Sequence, residues 1–123
     1  MDNRIEEFML DGKNFIYLDL SEFKENNEYK EFVEVAKKRM AKYAECSLFT
    51  ITNIRNVKFN SETKKIVAEW MQHNRLYVKH GAVIGFDGIK RMLVNTIFKM
   101  SGRKNMMFFP NREQAVEWLL KQE

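Results

Sequence analysis

The sequence predicts a single α/β domain: a mostly parallel four- to five-stranded sheet flanked by four helices and opened by an N-terminal β-hairpin. Three observations carry this. Short β-branched or aromatic runs alternate with longer stretches of 3.6-residue apolar period, in the order β-β-α-β-α-β-α-β-α. Asp11-Gly12 stands between the first two apolar runs, where a tight antiparallel turn is needed. The 123 residues, 45% hydrophobic and 31% charged with five Gly and one Pro, suit one core across residues 1–123, with no repeat, linker or tail.

Residues 5–10 and 14–20 form the hairpin, because Asp and Gly both tolerate the positive φ of a type I′ turn. Over 26–43 the period changes: Tyr29, Phe32, Val33, Ala36, Met40 and Tyr43 share one helical face, with Lys30, Glu34, Lys37 and Lys38 largely on the other. Residues 47–53 are β-branched and aromatic, a strand. Asn60-Ser61 opens a second helix, either side chain able to accept a first-turn N–H. Its buried stripe is Thr63, Ile66, Val67, Trp70 and Met71, with Asn74 at the end. A short apolar strand over 82–86 shows no alternation and is expected to be central, covered on both faces. A third helix over 88–101, stopped by Gly102, has the stripe Ile89, Met92, Leu93, Thr96, Ile97 and Met100. Residues 106–109 form the last strand. Pro110-Asn111 then starts a helix with Ala115, Val116, Leu119 and Leu120 inward. Trp70 and Trp118 adjoin their stripes, so both are expected to be largely buried.

Composition narrows the function classes. One cysteine, Cys46, excludes a disulfide framework or a Cys-based zinc site, and two histidines seven residues apart give no metal-ligand spacing. No metal and no cofactor is therefore expected. Apolar runs reach four residues, far short of the roughly 20 that span a bilayer, and Asp2, Glu6 and Glu7 interrupt any leader-like start. The chain reads as cytoplasmic, with Cys46 reduced. Charge is unevenly placed: ten Lys/Arg against eleven Asp/Glu in residues 1–60, but eleven against six in 61–123. Such a basic field draws phosphate, anionic lipid or an acidic protein, or is simply a solvated face.

Enzyme chemistry finds little support. Cys46 lies beside Glu45, whose charge disfavours a thiolate, and reads as a small buried residue. His73 and His80 belong to no triad spacing. Gly81-Ala-Val-Ile-Gly-Phe-Asp-Gly88 has the strand–turn–helix order of a phosphate cradle but lacks its spacing and its Lys-Ser/Thr pair. Asp87 would also occupy the helix start an anion needs.

The segments Tyr77–Arg91, Asn95, Lys99-Met-Ser-Gly-Arg103, Phe108-Phe109 and Glu113-Gln-Ala-Val-Glu-Trp-Leu119 resemble the SpoIIAA-like branch of the STAS superfamily. The resemblance implies a STAS/SpoIIAA-like domain and, through the fold, kinship with lipid-binding CRAL-TRIO domains. It also implies a phospho-switch serine at a helix start, which falls on Ser61 in Val57-Lys-Phe-Asn-Ser-Glu-Thr63. Asn60 stands where that pattern has aspartate, and its glycine is missing. A phosphate on Ser61 would gain from the helix dipole and from Lys64 and Lys65, with Glu62 opposing it.

Two readings follow. The first is a non-catalytic STAS-like regulatory or protein-interaction module, with a protein partner and two copies able to associate. The alternative is a CRAL-TRIO-like carrier for a lipid or other small apolar ligand, suggested by Val94 and Phe98 beyond the core stripe and by eight methionines. Nucleic-acid binding ranks last, since the basic residues of 79–104 show no exposed aromatic–basic interleaving and no known nucleic-acid motif occurs. On the third helix Arg91, Asn95 and Lys99 stack at i, i+4, i+8, with Arg103 and Lys104 just beyond. Cations near a helix C-terminus suit the dipole, but Arg91 in the first turn does not. This ladder is the candidate partner or anion-binding surface.

Overall fold

A computed structural model describes residues 1–102 and 106–123; the side chains of residues 88–91 and 93 lie outside the described set. After a short 3-10 turn at Asp2–Arg4 come β1 (Ile5–Leu10), β2 (Lys13–Asp19), α1 (Asn26–Met40), β3 (Leu48–Asn53), α2 (Ser61–Asn74), β4 (Val78–Ile84), α3 (Gly88–Ser101), β5 (Met106–Phe108) and α4 (Arg112–Leu120). The five strands lie in the order β1-β2-β3-β4-β5, antiparallel between β1 and β2 and parallel thereafter. Asp11 and Gly12 take φ of 51° and 75°, the left-handed conformation their turn requires, and Leu10 pairs with Lys13 across it.

The pleat divides the core. Ile16, Leu18, Leu48, Val78 and Val83 face the layer of α1, α2 and α3, while Phe15, Phe49, Ile51, Ala82 and Ile84 face α4 alone. β3 and β4 are thus covered on both sides, each contributing buried apolar residues to both layers. Because β2 to β5 run parallel, all four helices start from the same edge of the sheet. α4 is pinned at its start by Arg112, which lies 4.4 Å from the Tyr17 ring and 2.9 Å from Glu6. Its end is held by Lys13, whose Nζ donates to the Leu120 carbonyl at 2.6 Å.

Several expectations need correction. α1 stops at Met40, and Tyr43 lies in the following turn, where its hydroxyl donates to Glu7. β4 begins at Val78, well before residue 82, because Lys79 and His80 are strand residues. Trp118 is only half-buried, packed against Phe109 and His80 at the rim of the lone helix. Cys46 is exposed, with φ of 52°, in the turn between α1 and β3.

α3 is rotated from its predicted phase. It buries Val94 and Ile97, with Phe98 half-buried, and leaves Met92 and Met100 73% and 54% exposed.

Glu7 joins β1 to α1. Burial raises its pKa, but hydrogen bonds from Tyr43, Arg39 and Lys42 outweigh that and hold it below the usual carboxylate range. Arg39 Nε approaches at 2.7 Å and Lys42 Nζ at 3.3 Å. Burial, followed by the bond to Glu7, pushes the Tyr43 phenol up to about 12. A carboxylate depressed in the folded state stabilises the protein above its unfolded pKa, and that contribution is lost as pH falls through the folded value. Tyr43→Phe is expected to cost roughly 1.5 kcal/mol at pH 7, the low end for a bond to a charged group because Arg39 and Lys42 still hold the carboxylate. The difference from wild type should shrink as urea unfolding is repeated at pH values below the unfolded Glu7 pKa.

The two tryptophans should separate in the same measurement. Trp70, 2% exposed, meets Phe32 of α1 edge-on at 5.7 Å. Trp70→Ala should cost about 3–5 kcal/mol, and Trp118→Ala clearly less.

Candidate functional site

Ser61 is set in place by the loop before it. Leu20 and Glu22 donate their N–H groups to the carbonyls of Asn53 and Arg55, and Lys58 N–H donates to Phe23. Tyr29, fully buried on α1, donates its hydroxyl to the Lys58 carbonyl at 2.9 Å. At the helix start Asn60 is the cap: its side-chain oxygen accepts from Thr63 N–H at 2.8 Å, and the Thr63 hydroxyl accepts from Asn60 N–H at 2.7 Å. Ser61 is the first helical residue, and it is exposed. Glu62, expected to oppose a phosphate, is drawn toward α1, where it pairs with Lys30 at 3.0 Å and accepts from Asn26. The opposition is correspondingly weakened.

The basic ladder is only partly described. Asn95 and Lys99 are exposed on α3. The Arg91 side chain lies outside the described residues, as do Arg103 and Lys104 altogether. Residues 91 and 99 are separated by about 12 Å of helix rise. Lys99 therefore lies at the far end of α3 from the helix starts, and the structure does not join it with Ser61 in one site. Met92, Asn95, Thr96, Lys99 and Met100 make up one outward face, so its apolar component is larger than the sequence indicated.

Between the sheet and the helix layer lies a cavity of about 40 Å³. Thr50, Val83, Trp70, Asn74, Ile97 and Phe98 are among its walls. The Trp70 Nε1 and Asn74 Oδ1 atoms are buried and have no hydrogen-bond partner among the described residues.

The enzyme candidates remain apart. His73 tilts against Tyr77 at the end of α2, whereas His80 stacks on Phe49 across the sheet, facing α4. Among the described residues no group of three or more His, Cys, Asp and Glu side chains is placed to hold a metal ion, and no helix is long and apolar enough to cross a membrane.

No family model and no curated protein matches the chain. Among solved structures it is similar to an uncharacterized protein of the DUF3478 family from Shewanella loihica PV-4, which has a SpoIIAA-like fold. The two share 11% identity over 94% of this chain and 91% of that one, with a TM-score of 0.71. The fold is SpoIIAA-like.

Ser61 stands at the start of α2, the helix that follows β3. Sequence reasoning missed the orphan pair, although Trp70 and Asn74 at i, i+4 were both placed on the buried stripe. The available signal was a polar Asn at the end of that stripe.

The cap assignment is testable by unfolding in urea. Asn60→Ala should cost about 1 kcal/mol, while Ser61→Ala should stay within about 0.5 kcal/mol of the parent.

Proposed function

We propose that this chain is a non-catalytic, STAS-like regulatory and protein-interaction module acting in the cytoplasm. The observation that carries the reading is the outer face of α3, where exposed Met92 and Met100 flank exposed Asn95 and Lys99. Methionine adapts to irregular partner surfaces, and an apolar face with cations beside it suits an acidic protein. Arg91, Arg103 and Lys104 extend the positive charge along the sequence. Ser61 serves as the switch: it is exposed, capping does not need it, and a phosphate there would meet the positive end of α2. Self-association of two copies through the same α3 face is a further use of it.

A second reading, a carrier for a lipid or other small apolar ligand, is favoured by a separate observation: Val94, Ile97 and Phe98 turn inward and line the cavity.

Native mass spectrometry of protein purified from its own host tests both readings. The module reading expects an added protein mass that Arg91→Glu with Lys99→Glu removes, while the melting temperature moves by no more than a degree or two. A small-molecule mass retained by both forms supports the carrier instead. Bare monomer from wild-type preparations defeats both.

A further inference from the structure

Four rings stand in one register across the sheet. Phe8 of β1 pairs with Phe15 of β2, Phe15 with Phe49 of β3, and Phe49 with His80 of β4. Successive ring centres lie 5.2, 5.5 and 5.9 Å apart, and each pair is stacked. At one end the row is closed by Trp118, which meets His80 edge-on at 6.0 Å. At the other it stops at Phe8 on the outermost strand, half-buried, with the Arg112 guanidinium 5.1 Å from the ring centre.

The strand that carries Phe8 lacks the devices that usually protect a sheet edge. β1 is six residues long, pairs with β2 one-to-one without a bulge, and contains neither proline nor lysine. β5, at the opposite edge, is three residues long and ends just before Phe109-Pro110. The two charges of β1 are answered within the chain, Glu7 by Arg39 and Lys42 and Glu6 by Arg112. Its last two residues, Met9 and Leu10, are 63% and 39% exposed. Leu10 and Lys13 flank a two-residue turn and so exchange both main-chain bonds. Alternation then directs the N–H and C=O groups of Glu7 and Met9 away from β2. Ile5 shares their phase, and its N–H accordingly donates outside the sheet, to the Asp2 carbonyl. Among the described residues no strand pairs with this outer edge.

We propose that β1 pairs antiparallel with β1 of a second copy, joining the two five-stranded sheets about a twofold axis perpendicular to them. The side chains fix the register. Glu7 opposite Glu7 sets like charges face to face, and Met9 opposite Met9 does the same by setting Glu7 against Asp11. Glu7 opposite Met9 opposes no two acidic residues. It sets Glu6 against Leu10 and Phe8 against Phe8 of the second copy. That central pair is a non-hydrogen-bonded one, where side chains approach most closely, and both α4 helices fall on the same side of the joined sheet. The open end of the ring row therefore meets its own counterpart, and the row runs on from His80 of one copy to His80 of the other. Charge and ring stacking select the same register. This edge lies across the sheet from β5 and is a different surface from the outer face of α3, so it stands or falls without the readings above.

Analytical ultracentrifugation of the full chain should show a reversible dimer. Met9→Glu adds a carboxylate opposite Glu7 on both sides of the axis and should weaken that dimer about tenfold. Met9→Lys sets an ammonium there and should leave the dimer as tight or tighter. Met9 is exposed, so either charge is compatible with the fold, and a melting transition checks it. Amide hydrogen exchange reads the pairing directly. The Glu7 and Met9 amides should exchange fast in dilute protein and slow down as the dimer forms. Those of Phe8 and Leu10, already bonded to β2, should be protected throughout. The proposal is overturned if the wild type stays monomeric up to about 1 mM, where even a weak specific dimer would show. It is equally overturned if glutamate and lysine at position 9 act alike, or if the Glu7 and Met9 amides gain no protection in the dimer. A dimer dissolved by Met92→Glu but not by Met9→Glu would place self-association on α3 and overturn it too.

Discussion

The edge-on contact between the indole of Trp70 and the ring of Phe32, at 5.7 Å, seats α2 against α1, and much of the helix layer is organised through it. Phe32 in turn meets Phe23 at 5.6 Å, and Phe23 meets Tyr29 at 5.4 Å, both edge-on. The Tyr29 hydroxyl then closes the circuit on the Lys58 carbonyl, two residues before the cap of α2. Each aromatic pair contributes about 0.5–1.5 kcal/mol beyond its area. One cluster therefore does two things: it packs two helices together and holds the loop that presents Ser61. Burial also pushes the Tyr29 phenol up from its ordinary pKa, so its proton stays in place to make that bond.

How much of this was legible in the sequence varied with how distinct each face is. α1 was clear because its two sides differ sharply, and every residue assigned to its stripe within the helix is buried. α3 was misphased because apolar residues surround it: Met92 and Met100 extend one stripe, Val94 and Phe98 another, and the sheet selects the second. The early start of β4 was hidden by Lys79 and His80, polar residues outside the expected strand over 82–86, although His80 stacks on Phe49 under α4. Asn60 and Ser61 are equally good caps in isolation. Thr63 decides between them, since its hydroxyl reaches back to the Asn60 N–H. Cys46 reads as a core residue by type, yet it occupies a positive-φ turn that no core position requires.

The similarity to a SpoIIAA-like structure at 11% identity is intelligible in the same terms. The fold needs a hairpin turn that accepts positive φ, strands apolar on both faces at the centre, and helix starts along one edge of a parallel sheet. Many sequences meet those conditions, so the shared frame says little about what a given chain binds. Side chains that the frame does not require are more informative. Ser61 is one, because Asn60 already caps the helix; Met92 and Met100 are two more, because burial does not account for them.

The orphan pair belongs to the same class and costs the fold more. An unsatisfied buried donor or acceptor costs about 1–3 kcal/mol, against a total of roughly 5–15 kcal/mol for a domain. Both positions have apolar substitutes of similar bulk: phenylalanine would keep the contact with Phe32, and leucine would fill the space of Asn74. The main-chain carbonyl of Asn74, which accepts from Tyr77 N–H, would serve equally well with any side chain. Folding alone therefore gains nothing from the indole nitrogen or the amide oxygen. The Gly81 gap, filled by the thioether of Met106 instead of by a methyl group, is a second feature that the frame does not require. Two buried polar atoms without partners among the described residues, and a gap filled by a flexible thioether, are features that packing alone does not require.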